Sequence, residues 1–500
     1  MKNILIAIRS IFKKGRHNVM KIVSLGIGLA VGLVLIAKVY FEQSYDDFYP
    51  DRDRVYQVWA KYQQNGGELK DYPQTSGGIA PTMQQQIPEI ETVTRYTSFG
   101  DWTFTMTDTK MKYSGRCIIA DSCFFDILPR PMLIGNAKEV LSTPMYVLIS
   151  SRIAKNIGGD VIGKNFTVDN SPGRTMTIGG VFEEVPENSH SRYDVIVSMA
   201  SAGRFMWEGS PTNMLGNDRY ISYVKLHKGV NPLALEEQVR TFVNSYFPPE
   251  EQQKVGLSID FSFHKLDNLH KELPQVKRMT WILSLLAFAL IFTAVMNYIL
   301  IVISSIVNRS KEVAVHKCYG ASENNIHGMM FGEALVHIVL SLILALLLIL
   351  AFRGTVEELL ATSLDSLLLS NGSLVLLGIC ILVFFVSGFM PGSLYARIPV
   401  ASAFRNYREN KRIWKKALLL VQFVATGFLV TMLVFVARQY TFMVNDRPGY
   451  AYENLAYCGL AGVDSTSRAK ILDEVMRLPG VAAATTVYQL PFEHASGNNI

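Results

Sequence analysis

Five apolar segments divide this chain in an uneven rhythm: residues 22–41, 281–304, 329–352, 373–396 and 417–437. Each approaches or meets the roughly 20 residues needed to cross a bilayer core. Between the first and the second lies a polar stretch, 42–280, long enough to bury a core of its own. The layout therefore predicts an α-helical membrane protein with a large mixed α/β extracytoplasmic domain. Lys38 interrupts the first segment. The expectation there is that the side chain snorkels to the headgroups.

Charge orients the spans. Residues 1–21 hold Lys2, Arg9, Lys13, Lys14, Arg16 and Lys21 and no acid, and 397–416 hold seven basic residues against Glu409. The loop 353–372 is acidic, with Glu357, Glu358 and Asp365 against Arg353. Basic flanks stay inside, so the N-terminus, 305–328 and 397–416 are expected in the cytoplasm. The insert 42–280, the loop 353–372 and the tail 438–500 are then expected outside. The net charge of +6 reads as topology and not as a nucleic-acid footprint. Residues after position 41 offer no small-residue cleavage site, so the first span is expected to stay attached.

Around the spans, Ile4, Ile8, Ile11 and Phe12 place an amphipathic helix over residues 3–14, within a cytoplasmic segment 1–21. Alternation predicts strands over 55–62, 103–107, 176–182 and 220–226. Leu235, Val239, Phe242, Val243 and Tyr246 predict a helix, and the insert as a whole reads as two lobes. Cys117 and Cys123 are near enough in sequence for a local disulfide, though nothing requires one. Asn297 and Gln422 are expected to hydrogen-bond between helices, and Gly26, Gly28 and Gly32 to mark close packing.

The chain also repeats itself. RSIFKKGRHNVMK at 9–21 parallels RNYRENKRIWKK at 405–416, and IPEIETVTR at 87–95 parallels LPGVAAATT at 478–486. The offset implies a repeating unit the size of a whole module. The fifth span would begin a second module, and 438–500 a second external domain. A chain extending to two full modules is the corresponding expectation.

Three motifs invite chemistry. Gly158 to Lys164 (GGDVIGK) has the spacing of a phosphate-binding loop, but Asn165 stands where Ser or Thr should hold magnesium. It reads as a turn, and no ATPase of the chain's own is expected. His264, Asp267 and His270 would share a face if helical and could then bind zinc. A polar linker is the plainer reading. Glu333 and His337, four apart near the inner end of the third span, suggest headgroup or mutual contacts before any proton path.

The segment NRSKEVAVHKCYGASENNIHG, 308–328, carries the most information. Residues 309–319 can form a short helix that Gly320 ends, with Ser322 capping the next and Glu323 in its first turn. It resembles the coupling segment of FtsX/MacB-family ABC transporter permeases, E-R-x-x-E-I-A-x-x-[KR]-x-x-G-A. Here Asn308 replaces the first Glu and His316 stands where a basic residue is common. FGEAL at 331–335 and the Met390-Pro391-Gly392 stretch through Arg405 resemble further family features, as do SYDDFYPDRDRVYQV, GKNFTV, GGVFEEVPENSH and KLDNLH in the insert.

The resemblance implies a multi-pass permease subunit in a bacterial inner membrane, among membrane lipid, with its large domain in the periplasm. It implies a separate cytoplasmic ABC ATPase dimer as partner, so that ATP acts through that subunit and the chain binds no cofactor. The expected contact residues are Arg309, Lys311, Glu312, Val313, His316, Lys317, Gly320 and Ala321, with Val313 filling a groove on the partner. Movement of the external domain would export or extract a lipoprotein, peptide or drug-like substrate, with a periplasmic or outer-membrane partner and a self-associated or fused pseudo-dimer. Control of a cell-wall hydrolase or envelope sensing is the alternative, and a static scaffold the third.

Overall fold

The structure is a computed structural model that describes residues 17–168, 171–216, 218–369, 372–396, 399–400, 413–445, 454–460 and 463–487. The amphipathic helix expected at 3–14 and most of the basic linker after the fourth span lie outside these residues. Two compact units emerge, one from residues 1–44 and 272–454, the other from 45–271 and 455–500.

The first unit is helical: α1 (Asn18–Gln43), α2 (Pro274–Ser304), α3 (Ile306–Cys318), α4 (Glu323–Ala351), α5 (Arg353–Leu360), α6 (Leu364–Leu368), α7 (Ser373–Ala396) and α8 (Ile413–Asn445). Among the described residues, α1, α2, α4, α7 and α8 are long and apolar enough to cross a membrane. Most run past the apolar segments. Pro274 starts α2, where its missing N–H costs nothing.

Helix α1 packs against both α2 and α4, and α4 against α7. Hydrophobic burial does not drive such packing in lipid, so close backbone approach must. Glycine supplies it. A methyl at Gly28 would collide with Ala294, one at Gly32 with Ile291, and one at Gly26 with Leu344. The core around these contacts includes Leu25, Leu29, Tyr298, Ile299 and Ile338. By contrast, α8 exposes Phe423, Phe428, Leu433 and Phe435, as suits a helix whose solvent is lipid.

Polar side chains in the bundle depart from expectation. Lys38 does not snorkel: it is buried, ion-paired to Glu42 at 2.6 Å, and donates to Thr362 Oγ1 at 2.8 Å. Glu333 and His337 meet protein partners and not headgroups. Glu333 pairs with the fully buried Lys21 at 3.5 Å, and His337 Nδ1 lies 3.1 Å from Tyr298 Oη. Ser341 donates to the Ile22 carbonyl at 3.1 Å, so α1 and α4 share polar bonds as well as a packed seam. Asn297 is exposed on the outside of α2, and the buried Gln422 amide nitrogen has no bond to the described residues. Neither forms the expected interhelical bond.

Among the described residues of the second unit, eleven strands join one sheet, nine of them in the order β11-β1-β10-β3-β4-β9-β6-β8-β5. They are β1 (Val55–Gln64), β2 (Lys70–Tyr72), β3 (Ile90–Met106), β4 (Lys112–Ala120), β5 (Met132–Ile134), β6 (Tyr146–Ser150), β7 (Asn165–Val168), β8 (Ser171–Phe182), β9 (Val195–Ser198), β10 (Ile221–Leu226) and β11 (Leu257–Lys265). Strand β2 pairs with β1, and β7 with β3 and β8.

One sheet and one compact unit hold the insert, and the 17-residue β3 runs between partners on different sides of it. Residues 90–96 pair with β10, 96–105 with β4 and 104–106 with β7, and an irregularity between Ser98 and Gly100 interrupts the β4 ladder. Gly100 takes a positive φ there, which a side chain would strain. Helices Ile79–Gln86 and Glu236–Tyr246 cover one end, burying Met83, Val239 and Phe242 against Val58 and Phe261. Phe104, Phe166 and Ile178 form the core of the other. Arg95 ties loops to the sheet. It grips Asp121 through two bonds of 3.0 Å and donates to the carbonyls of Gly77 and Pro211.

Candidate coupling site

The segment between α2 and α4 forms the helix its sequence predicts, and its caps explain why. Gly320 adopts φ +86. The Ala321 amide bonds to the His316 carbonyl at 3.0 Å and the Gly320 amide to Lys317 at 3.0 Å. This is the paired arrangement by which a left-handed residue closes a helix and satisfies its last carbonyls. Two residues on, Ser322 accepts from the Asn325 amide and opens α4, with Glu323 in the first turn against the positive helix end. The reversal is thus fixed at both sides.

Helical spacing then sorts the side chains of α3. Ser310, Val313 and Ala314 are buried, Val313 with 1% of its surface exposed, and Val313 and Ala314 belong to the bundle core. Val313 is therefore not free to fill a partner's groove, which corrects the expectation for that residue. The face that is open carries Lys311, Val315 and Tyr319 at successive fours, with His316 and Cys318 beside them. Tyr319 is 88% exposed and Val315 43%. Glu312 is half-buried, Gly320 is exposed and Ala321 packs partly against the core. Arg309 lies in α3, and its side chain is outside the described residues.

Lys317 also turns inward. It is half-buried and its Nζ donates to the Ala396 carbonyl at 2.6 Å. Tyr395, fully buried, donates to the Val302 carbonyl at 3.0 Å and lies 3.1 Å from Ser305 Oγ. The sequence missed Val315 and Tyr319 as the outward apolar pair. A helical wheel drawn from the buried Val313–Ala314 pair would have found them, but the wheel needs to know which side the bundle occupies.

The other motifs resolve differently. GGDVIGK is a turn in which Gly158, Gly159 and Gly163 all take positive φ, and β7 follows with Asn165. His264 lies in β11 stacked on Trp59, Asp267 in a short 3-10 turn, and His270 against Tyr45. They share no helical face. No group of three metal-binding side chains occurs among the described residues. Cys117 and Cys123 are free thiols, the first buried in the sheet and pushed up in pKa by that burial, so the optional disulfide is not formed.

The second unit braces the two points where its chain begins and ends near 45 and 271. Lys271 bridges Asp267 at 2.9 Å and Asp47 at 3.3 Å, and Arg52 reaches Asp47 at 3.2 Å. Tyr45 and His270 stack with ring centres 3.4 Å apart. Burial raises the Asp47 carboxyl against the pull of Lys271 and Arg52. Asp51, bonded by Arg54 and Lys225, is held down to about 2. Deeper in, Asp46 meets His190 Nδ1 at 2.6 Å, and His190 in turn meets Tyr223.

Two family models match the chain. A MacB-like periplasmic core domain matches residues 20–242, and an FtsX-like permease C-terminal domain matches residues 284–400. Among solved structures, a domain of a protein described as a permease, from Porphyromonas gingivalis, is 33% identical. The match covers 43% of this chain and 91% of that one, with a TM-score of 0.40. The periplasmic region of MacB from Actinobacillus actinomycetemcomitans is 15% identical over 44% and 92% of the two chains, with a TM-score of 0.31. The extracellular domain of the noncanonic ABC-type transporter YknZ from Gram-positive bacteria is 11% identical over 41% and 98%, with a TM-score of 0.30. No curated protein matched. The core-domain model and the permease model together cover more than half of the chain, on either side of the α2 start, and the chain belongs to the MacB/FtsX-like family of ABC transporter permeases.

Proposed function

We propose that this chain is the membrane subunit through which a separate cytoplasmic ATPase dimer moves a periplasmic domain. The observation that carries the reading is α3. It is a short helix between two candidate spans, closed at its C-terminal end by Gly320, with one face in the bundle core and Lys311, Val315, His316 and Tyr319 on the other. An exposed aromatic beside an exposed aliphatic, rimmed by basic groups, has the composition of a contact that buries apolar anchors and sets register by charge. Glu312 and Gly320 flank that stripe. Val313, Lys317 and Ala321 support it from the bundle side.

In this account ATP closes the ATPase pair, the pair presses on α3, and the press passes into α2 and α4. The ATP is the partner's. The N-terminus and α3 are cytoplasmic, the domain after α1 is periplasmic, and the membrane is the inner membrane of a bacterial cell. Export or extraction of a lipoprotein, peptide or drug-like molecule from the outer face is the work done. Copurification from gentle detergent tests the contact. Tyr319→Asp and Val315→Asp are expected to lose the ATPase while the permease still inserts and melts normally. Retention of a stoichiometric ATPase by both variants would overturn the assignment of the stripe.

A further inference from the structure

Two hydrogen bonds, one part-buried and one buried, join the end of α7 to the neighbourhood of α3, and nothing in the proposed contact requires them. Lys317, on α3, donates to the Ala396 carbonyl, one of the last of α7. A cation on the orphan carbonyls of a helix C-terminus combines a charge-assisted bond with the favourable end of the helix dipole. Tyr395, one residue earlier, donates its hydroxyl to the Val302 carbonyl in the last turn of α2, beside Ser305 where α2 gives way to α3. Val313, Ala314, Tyr395 and Ala396 share the same packed core.

A weak point lies just upstream. Pro391 sits inside α7. It has no N–H, so the helix ladder loses a bond there, and its ring favours a kink. Gly392 follows, packed so closely to the start of α4 that a methyl would meet His327 Nδ1. The ladder of α7 is thus weakened at Pro391, while its last turn is also bonded to α3 and α2.

We propose that Lys317 and Tyr395 are positioning residues that make the last turn of α7 part of the coupling element, with Pro391 as the joint. The role rests on the coupling function proposed above. A press on α3 then reaches the fourth span directly, in parallel with its routes through α2 and α4.

The test uses the full chain with the ATPase that copurifies with it, reconstituted in lipid. Lys317→Met and Tyr395→Phe are compared with Lys317→Arg, which keeps the donor. The melting temperature of each complex is recorded. The expectation is that both disabling variants keep the ATPase at unchanged stoichiometry while permease-dependent stimulation of ATP turnover falls at least about fivefold, the low end of ordinary coupling between sites. Lys317→Arg is expected to restore most of it. Tyr395→Phe, which removes one hydroxyl, stands if Lys317→Met fails to fold. Stimulation within about twofold of the parent in both variants, below ordinary coupling, overturns the positioning role and leaves the contact stripe intact. Loss of the ATPase from both variants also overturns it, since they would then be contact residues. Absence of any ATPase on the unaltered chain removes the coupling function itself.

Discussion

At the scale of single residues, the direction a side chain takes decides what it can do. Val313 and Tyr319 are six positions apart on one short helix, and one is buried while the other is almost wholly exposed. A charge should therefore act oppositely at the two. Val313→Asp is expected to lower the melting temperature of the detergent-solubilised chain by burying an unpaired carboxylate, whereas Tyr319→Asp is expected to leave it unchanged. Equal melting of the two would contradict the burial pattern. Gly28 makes a second residue-scale case. Gly28→Val must push Ala294 away, and overpacking of this kind costs about 1–3 kcal/mol. Thermal unfolding of the variant, set against Gly427→Val on the open face of α8, isolates the packing effect. Asp51 gives a pH signature. Its folded pKa, near 2, lies below the ordinary value, so its pairing with Arg54 and Lys225 stabilises the fold above about pH 4 and is lost as pH falls toward 2. Acid unfolding of Asp51→Asn should be flatter over that window; an unchanged acid limb would show that the pairing adds nothing.

At the scale of elements, ends and faces were legible to different degrees. The end of α3 and the start of α4 could be read from Gly320 and Ser322 because capping is local: one left-handed residue and one hydroxyl suffice. Gly320→Ala keeps the sequence helical but strains a φ of +86, and about 1 kcal/mol of destabilisation is expected in a denaturation series. The strands expected over 55–62 and 220–226 form as β1 and β10, although both pack on two faces, with Tyr223 and Val224 in different cores. The length of β3 was not legible, since its halves pair with different strands and its apolar positions change side at the irregularity near Gly100. Partners of the intramembrane charges were equally hidden. Lys38 meets Thr362 from 324 positions away, and Lys21 meets Glu333, so local spacing suggested headgroups where the bundle supplies protein.

For the whole molecule, the account is one of division of labour. One unit is a bundle seamed by glycine and stitched by buried ion pairs; the other is a sheet domain in which Asp47, Arg52, Asp267 and Lys271 brace the residues near 45 and 271. Topology follows from the same account and can be read with native thiols. Cys318 and Cys458 are exposed. A membrane-impermeant maleimide should label Cys318 only from the cytoplasmic side and Cys458 only from the opposite side; labelling of both from one side would break the span assignment. The central claim is that α3 receives an ATPase, and a gentle-detergent pull-down of the full chain with mass spectrometry addresses it most directly. The account predicts a stoichiometric ABC ATPase that is lost on Tyr319→Asp and kept on Gly427→Val. Recovery of no ATPase across several detergents, or its undiminished recovery with Tyr319→Asp, would contradict it.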